Sequence, residues 1–544
     1  MSLKSALCLL SLAVISACSG ALPNSAVPRH LAERFYGAPT ASTPVVSIIR
    51  EHGIKVPDRS SGVPLLEQLR VELAKSDVSG AYAGITYDLT QGNVLARDWL
   101  IQSPNRWGRK ASELPFYPLT CKDCDRDTLL PSCSTDADCS GGGVCGAIWP
   151  EPGTRRAASR KVCFGHSDAM LVGIYDLMAK AQHSVDITLL QPVPDTRFLG
   201  TLRAALNSLA ASRRQVTVRV IVGQYPPENV DASAFLGELT ATSRDTSGAR
   251  LTVSVAAMRS CIVVEDCDSY SWNHSKIVTV DGREALVGGH NMWSRDYLID
   301  NPVHDLSMRV RGPAAASAAR FADRLWQYIC ANLDKKPSIV LASLASGQSV
   351  PTSDCPASFV APPPSRAAGG VPILAVGRMG AGITKDFANQ SELARDLMFG
   401  SAEHDIRIVQ QDFGFNLGRS DTLFPESTTD RLVDFLQNRD GHIYIVLSNR
   451  GATGNSGSSY DNGVPLSAIA KHLRAAVLAR IEARDPRSRY EVRRGPDPVN
   501  ALLCERVHLA PFRFGPDASW PGGKSIANHS KLWMVDERAF YIGS

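Results

Sequence analysis

One short pattern occurs twice in this chain, and each copy attaches a histidine and a lysine to the start of an apolar strand. The first is His274-Ser-Lys276-Ile-Val-Thr-Val-Asp281, followed after six residues by Gly288-Gly289-His290-Asn291. The second, 255 residues on, is His529-Ser-Lys531-Leu-Trp-Met-Val-Asp536, followed after the same six residues by Gly543-Ser544. A single H-x-K-x-x-x-x-D constrains little, since chance alone supplies one in roughly a few per cent of chains this long. Two copies with matched glycines are not coincidence. They imply two equivalent halves, each presenting the same pair of side chains.

In a strand, side chains two apart share a face, so His274 projects with Lys276 and His529 with Lys531. Asp281 and Asp536 have the opposite parity. Asp281-Gly282 is a hairpin-turn dipeptide, which predicts a structural role for this aspartate rather than contact with substrate. Gly288 and Gly289 are expected to let the returning backbone pass close by and deliver Asn291. Gly543 and Ser544 stand at the matching place in the second copy. Two imidazoles, two ammonium groups and an amide suit a phosphodiester. Lys276, Lys531 and Asn291 would meet the charge that grows on its equatorial oxygens. One histidine would attack phosphorus and the other would protonate the leaving alcohol. An unperturbed imidazole already titrates near neutral pH, and the cationic side chains do a metal's work, so no metal and no cofactor is required. Asp305 lies further along the chain, at a distance from which it could orient the ring of His274.

Around both copies the chain alternates strands and helices. Helical periodicity runs from Ser167 to Ala181 and from Phe198 to Ala211, with strands expected at 185–191 and 216–222. A helix from Ala314 to Cys330 closes the first series. The second has a helix through Leu397, a strand at 405–410, a helix near Leu432 and a strand at 443–447. This predicts an α/β fold of two similar halves, each a mixed sheet flanked by helices, packed pseudo-symmetrically. The expected divisions are 1–18, a leader; 19–64, variable; 65–120, the start of the first half; 121–163, a cysteine-rich insertion; 164–336, the rest of that half; 337–372, a linker rich in Ser, Ala and Pro; and 373–544, the second half, incomplete at its C-terminus. A Gly/Ser-rich stretch at 451–463 reads as a flexible loop, either plain surface or an active-site lid.

Net charge is +4 with no dense basic stripe, which argues against nucleic acid as the partner. Lys4, the apolar run Ala6 to Ile15 and the small residues after it have the layout of a secretory leader, too short to span a bilayer. Ile15-Ser16-Ala17-Cys18 also fits a lipoprotein processing site, with plain cleavage near Ala21 as the competing outcome. Export agrees with Cys121-x2-Cys124-x8-Cys133-x5-Cys139-x5-Cys145-x17-Cys163, which reads as three disulfides stapling a coreless loop. A zinc site is disfavoured because no second ligand pair occurs at the right spacing. Cys261 and Cys267 are expected to pair.

These motifs resemble those of the phospholipase D superfamily. Further stretches are similar to secreted bacterial phospholipases D that act on phosphatidylcholine: Asp98-Trp-Leu-Ile-Gln-Ser-Pro104 with Trp107, Ser271-Trp-Asn-His274, Gly312-Pro-Ala-Ala-Ala-Ser-Ala318, Ala375-Val-Gly377, the Gly454 to Tyr460 loop, and Ala501-Leu-Leu-Cys504. The resemblance runs from about residue 65 to the end, leaving out the cysteine-rich insertion. It implies a monomer with its site where the halves meet, a phospholipid substrate at a membrane or micelle surface, and hydrolysis to phosphatidic acid and choline with transphosphatidylation as a side activity. It also implies His274 as nucleophile, His529 as general acid/base and Asp305 as the carboxylate supporting His274. A second Asn and carboxylate would fall beyond Ser544, so the 544-residue chain is expected to turn over weakly or not at all. The contrasting readings are a phosphatidyltransferase, a nuclease, or an inactive surface protein that only binds.

Overall fold

The computed structural model describes residues 44–105, 109–119, 122, 124–125, 128–148, 160–212, 214–225, 228–242, 251–261, 271–345, 348–362, 370–384, 386, 388–416, 422–484 and 497–544. The leader with Cys18, and Trp107, Cys121 and Cys267, lie outside them. The chain divides into two compact units. The larger comprises 73–105, 113–391 and 543–544; the smaller comprises 1–72, 106–112 and 392–542.

The main sheet of the larger unit is built from β1 (Leu100–Ser103), β2 (Ser184–Leu190), β3 (Val216–Gly223), β4 (Leu251–Cys261), β5 (Ile277–Val280), β6 (Glu284–Gly288), β7 (Asp305–Arg311), β8 (Ile339–Ala345) and β9 (Gln348–Pro351). Their order across the sheet is β9-β8-β4-β3-β2-β5-β6-β7-β1, with Ser271–Trp272 pairing onto β4. The sheet of the smaller unit uses β10 (Asp405–Gln410), β11 (His442–Leu447), β12 (Val507–Pro511), β13 (Leu532–Val535) and β14 (Ala539–Ile542), in the order β12-β11-β10-β13-β14.

The smaller sheet repeats the middle of the larger one strand for strand. β4, β3 and β2 run parallel, then β5 and β6 turn back antiparallel. β12, β11 and β10 run parallel, and β13 and β14 turn back in the same way. Even the register agrees. Ile187 sits opposite Val278 and Ile408 opposite Trp533, positions that the two motif copies make equivalent.

Each sheet is shaped by its apolar pattern. Every residue of β5 is buried, because helices Ala169–Met178 and Pro313–Asn332 both reach it. In the smaller unit alternate residues point inward. Ile406, Ile408, Ile443, Ile445 and Leu447 pack with Leu432, Leu436, Ile469 and Leu473 from the helices. Arg407, Tyr444 and His508 remain half-exposed on the opposite parity.

Part of the stretch expected to be a linker, 337–372, is strand: Ile339–Ala345 and Gln348–Pro351 join the main sheet, and Val371 begins a strand of a separate two-stranded sheet. β8 pairs with β4 and β9 pairs with β8, and Val371–Val376 pairs with Tyr87–Asn93. Its Ser and Pro content masked an apolar run, Ile339-Val-Leu-Ala, that can extend an exposed sheet edge. A buried charge cluster anchors the chain beyond β9. Arg219 on β3 donates to Asp186 on β2 at 2.6 Å, to Asp323 at 2.7 Å and to the Ala357 carbonyl at 2.9 Å. Asp323 in turn accepts from the Phe359 N–H.

Cysteine pairing agrees with the disulfide reading where it is described, with Cys133–Cys145 and Cys139–Cys163 bonded. Cys124 and Cys261 are also in disulfides. A further bridge, Cys330–Cys355, ties the end of helix Pro313–Asn332 to the segment after β9. Among the described residues no helix is long and apolar enough to cross a membrane.

Replacing Arg219 by Met strands two buried carboxylates, and removing one partner of such a cluster costs about 3–5 kcal/mol. Urea unfolding of Arg219→Met should show a midpoint lowered to match, whereas an unchanged midpoint would mean the cluster contributes nothing.

Candidate active site

Both motif copies begin in the same backbone seat. Asn273 donates from Nδ2 to the Leu189 carbonyl, and its Oδ1 accepts from the N–H and hydroxyl of Ser275. Asn528 does the same, donating to the Gln410 carbonyl and accepting from the N–H and hydroxyl of Ser530. The histidine between each Asn and Ser is thereby held at the end of its strand. The conformation leaves little room. A side chain on Gly223 would lie 1.7 Å from the Asn273 carbonyl oxygen, and at the equivalent place Ser448 instead accepts the Asn528 N–H. The signal was present in the sequence, as Asn-His-Ser-Lys in both copies, but neither the Asn nor the Ser stood out as a supporting residue.

The aspartates hold the other end of each strand. Asp281 accepts three backbone N–H groups, from Gln182, His183 and Ser184, at 2.8–2.9 Å. Asp536 accepts from Glu403, His404 and Asp405. Both adopt left-handed backbone, with φ of 53° and 51°, which aspartate tolerates better than most residues. Each carboxylate therefore caps the start of the neighbouring parallel strand, on the far side of the strand from the histidine.

The lysines fold back over the histidines. Lys276 Nζ donates to the His274 carbonyl at 2.7 Å and lies 3.1 Å from His274 Nδ1. Lys531 Nζ donates to the His529 carbonyl at 2.6 Å. His274 is exposed, while His529 is only 7% exposed. The cover over His529 is Tyr460, whose ring meets the imidazole edge-on with centroids 5.2 Å apart. Tyr460 belongs to the Gly/Ser-rich stretch at 451–463. The loop is pinned by Asp461, which accepts the N–H groups of Gly451 and Gly463, by Tyr460 N–H to the Ala452 carbonyl, and by Lys524 to Asn455.

In the larger unit the residues after β6 build a polar layer beside Lys276. A side chain on Gly289 would come within 2.1 Å of Asp305 Oδ1, and one on Gly288 within 2.4 Å of Ser307 Cα. The glycines thus allow β6 to lie against β7. Asp305 is fully buried and accepts from the Tyr297 hydroxyl at 3.0 Å and from the Leu306 N–H at 2.8 Å. His290 shares a hydrogen bond with the Ser307 hydroxyl at 2.7 Å. Asn291 is 3% exposed, and its Oδ1 has no hydrogen-bond partner among the described residues. Lys276, His290, Ser307 and Thr188 line a small cavity floored by Met170 and Met292. Arg197, wholly buried, pairs with Asp168 at 2.6 Å and donates to the Leu298 carbonyl, holding the segment that leads to Asp305. Gly543 is buried, and the Ser544 hydroxyl donates to the His274 carbonyl at 3.2 Å.

One charged residue near the second copy had no place in the sequence reading. Asp412 comes just after β10, with Lys531 as its charge partner and Asp461 as a second carboxylate nearby. Burial pushes its carboxyl up to about 6 against the pull of Lys531.

A duplicated histidine–lysine half-site on matched α/β sheets is chemically suited to handling a phosphodiester. The chain is 29% identical to phospholipase D of Streptomyces antibioticus over 522 residues, 87% of this chain and 80% of that protein. This similarity supports an enzyme with phosphodiesterase activity. No family model matches the chain. Similar solved structures include phosphatidylserine synthase of Haemophilus influenzae Rd KW20, 12% identical with a TM-score of 0.39 over 68% of this chain and 74% of that one. NucT from Helicobacter pylori is 13% identical with a TM-score of 0.22 over 29% of this chain and 88% of that one. At these scores neither structure adds to the assignment.

Gly289→Ala should lower stability by about 1–3 kcal/mol, because the new methyl must displace the Asp305 carboxylate. The check is a urea melt of the variant beside the parent, and an unshifted transition would count against this packing.

Proposed function

We propose that the enzyme hydrolyses phosphatidylcholine to phosphatidic acid and choline, with transfer to other alcohols as a side reaction. The observation that supports this reading is the duplicated Asn-His-Ser-Lys seat, whose two copies hold the two histidines and two lysines that such a reaction uses. A neutral ring nitrogen of His274 attacks phosphorus, and the bond from phosphorus to the choline oxygen breaks. His529, as imidazolium, gives its proton to that oxygen. Water then attacks the phosphohistidine, His529 takes a proton from it, and the phosphorus–nitrogen bond breaks to restore His274. Lys276, Lys531 and Asn291 stabilise the charge on the equatorial oxygens, and Asp305 supports the His274 side through its buried position. The protein acts as an exported monomer on a lipid surface. Disulfides in the cysteine-rich segment support export, since such bonds persist in oxidising compartments.

Phosphatidylcholine micelles incubated with the chain should release choline, even if slowly, and His274→Ala should remove that release entirely. Rapid quenching of the parent during turnover should trap a phosphatidyl adduct on His274, visible by mass spectrometry of a peptide isolated at neutral to alkaline pH, and His529→Ala should slow both its formation and its hydrolysis. Cleavage of DNA without choline release would point instead to a nuclease, and an unaltered His274→Ala variant would end the proposal.

A further inference from the structure

The second motif copy carries a tryptophan where the first carries a valine, and the indole is tied to the seat of the histidine. β5 pairs with β2 so that Val278 sits opposite Ile187, and β13 pairs with β10 so that Trp533 sits opposite Ile408. Two residues further along β2 and β10 come Leu189 and Gln410, whose carbonyls accept from Asn273 and Asn528. The first half-site therefore has an apolar pair here, Leu189 and Val278, each 2% exposed. The second has an amide and an indole at the same two places.

Side chains two apart on a strand share a face, so Gln410 lies on the same face as Ile408 and its neighbour Trp533. The indole N–H of Trp533 donates to Gln410 Oε1 at 2.8 Å. The other end of that amide donates from Nε2 to the Asp412 carbonyl. The backbone carbonyl of Gln410 accepts from Asn528 Nδ2 at 2.9 Å. One residue thus joins the indole, the turn by which the chain leaves β10, and the seat of His529. Gln410 is the last residue of β10, where strand pairing ends and side-chain bonds take over.

The indole is itself firmly held. Trp533 is 8% exposed, stacks on Tyr541 of β14 with centroids 4.3 Å apart, and meets Phe399 edge-on at 6.2 Å. The guanidinium of Arg395 lies over its ring at 5.2 Å. Phe399 and Arg395 both belong to helix Gln390–Gly400. A buried indole brings an N–H that needs a partner, a requirement that valine at the equivalent place does not have. We propose that Trp533 is a positioning residue for His529. Through the Gln410 amide it holds the end of β10, and with it the Asn528 carboxamide that seats the histidine. Indole and amide act as a unit. Removing the indole N–H alone takes away the donor that Gln410 Oε1 uses, whereas making both partners apolar reproduces the kind of contact found in the first half-site.

This inference rests on the phospholipase D reading for the task of His529, but its NMR readouts are independent of turnover. In the full chain the Trp533 indole N–H should exchange slowly with deuterium, and Gln410→Leu should speed that exchange roughly 10-fold. Trp533→Phe keeps an aromatic ring against Tyr541 and removes the donor. Both variants should shift the side-chain amide signals of Asn528 and the imidazole signals of His529, the latter assigned with His529→Gln. Gln410→Leu does so without altering any ring. Choline release should fall roughly 10-fold in kcat with KM little changed in each single variant. The double variant Trp533→Phe/Gln410→Leu should recover part of that loss. If Trp533→Phe does not fold, Gln410→Leu alone is read in the same way. Asn528 and His529 signals that stay in place, or a double variant whose loss is the product of the single losses, overturn the inference. A chain that shows the expected exchange and signal shifts but releases no choline would instead sink the phosphatidylcholine reading and leave the role of Trp533 standing.

Discussion

The register of one strand against its neighbour is the constraint on which the site depends. Side chains alternate along a strand, so a slip of one residue between β5 and β2, or between β13 and β10, would turn every histidine and lysine to the wrong face. Two devices prevent the slip at opposite ends of the pairing. At one end Asp281 and Asp536 each bind three successive backbone N–H groups of the adjoining segment. At the other, Asn273 and Asn528 reach a carbonyl in the last two residues of the same strand. A carboxylate used in this way has few lone pairs left for substrate, so the last residue of the motif serves the fold and the first residues serve the chemistry.

Duplicating that unit produces two similar pairs of side chains, and the surroundings then make them unequal. His274 is exposed, with Lys276 against its ring; His529 is buried and covered by Tyr460. Environment rather than residue type tunes ionisable groups that share a covalent pattern. The larger unit places its polar residues differently, in a buried layer of Tyr297, Asp305, His290 and Ser307. Gly288 and Gly289 are small there because the carboxylate and the next strand occupy the space their side chains would fill.

Much of the architecture was legible because it arises from short-range pattern. The helices at 169–178, 196–211 and 313–332 and the strands at 184–190, 216–223, 405–410 and 442–447 lie within a few residues of their expected positions. Segments whose strand character depends on an edge to join were harder to see. Ile339–Ala345 sits among Ser, Ala and Pro, and only the open side of Leu251–Cys261 makes it a sheet strand. The contacts of the 451–463 loop were hidden for a related reason. Its Gly and Ser content is that of a mobile segment, but Asp461 and Tyr460 find partners that no local pattern discloses.

The sequence by itself determined the two half-sites, the shared face of each histidine and lysine, and the α/β alternation. These depend on residues a few positions apart, where backbone geometry converts spacing directly into direction. The tertiary structure alone decided which ring covers His529 and which glycines face Asp305 and Ser307. Those pairings join residues far apart along the chain, and their distances are set by how sheets and loops pack, not by any period in the sequence.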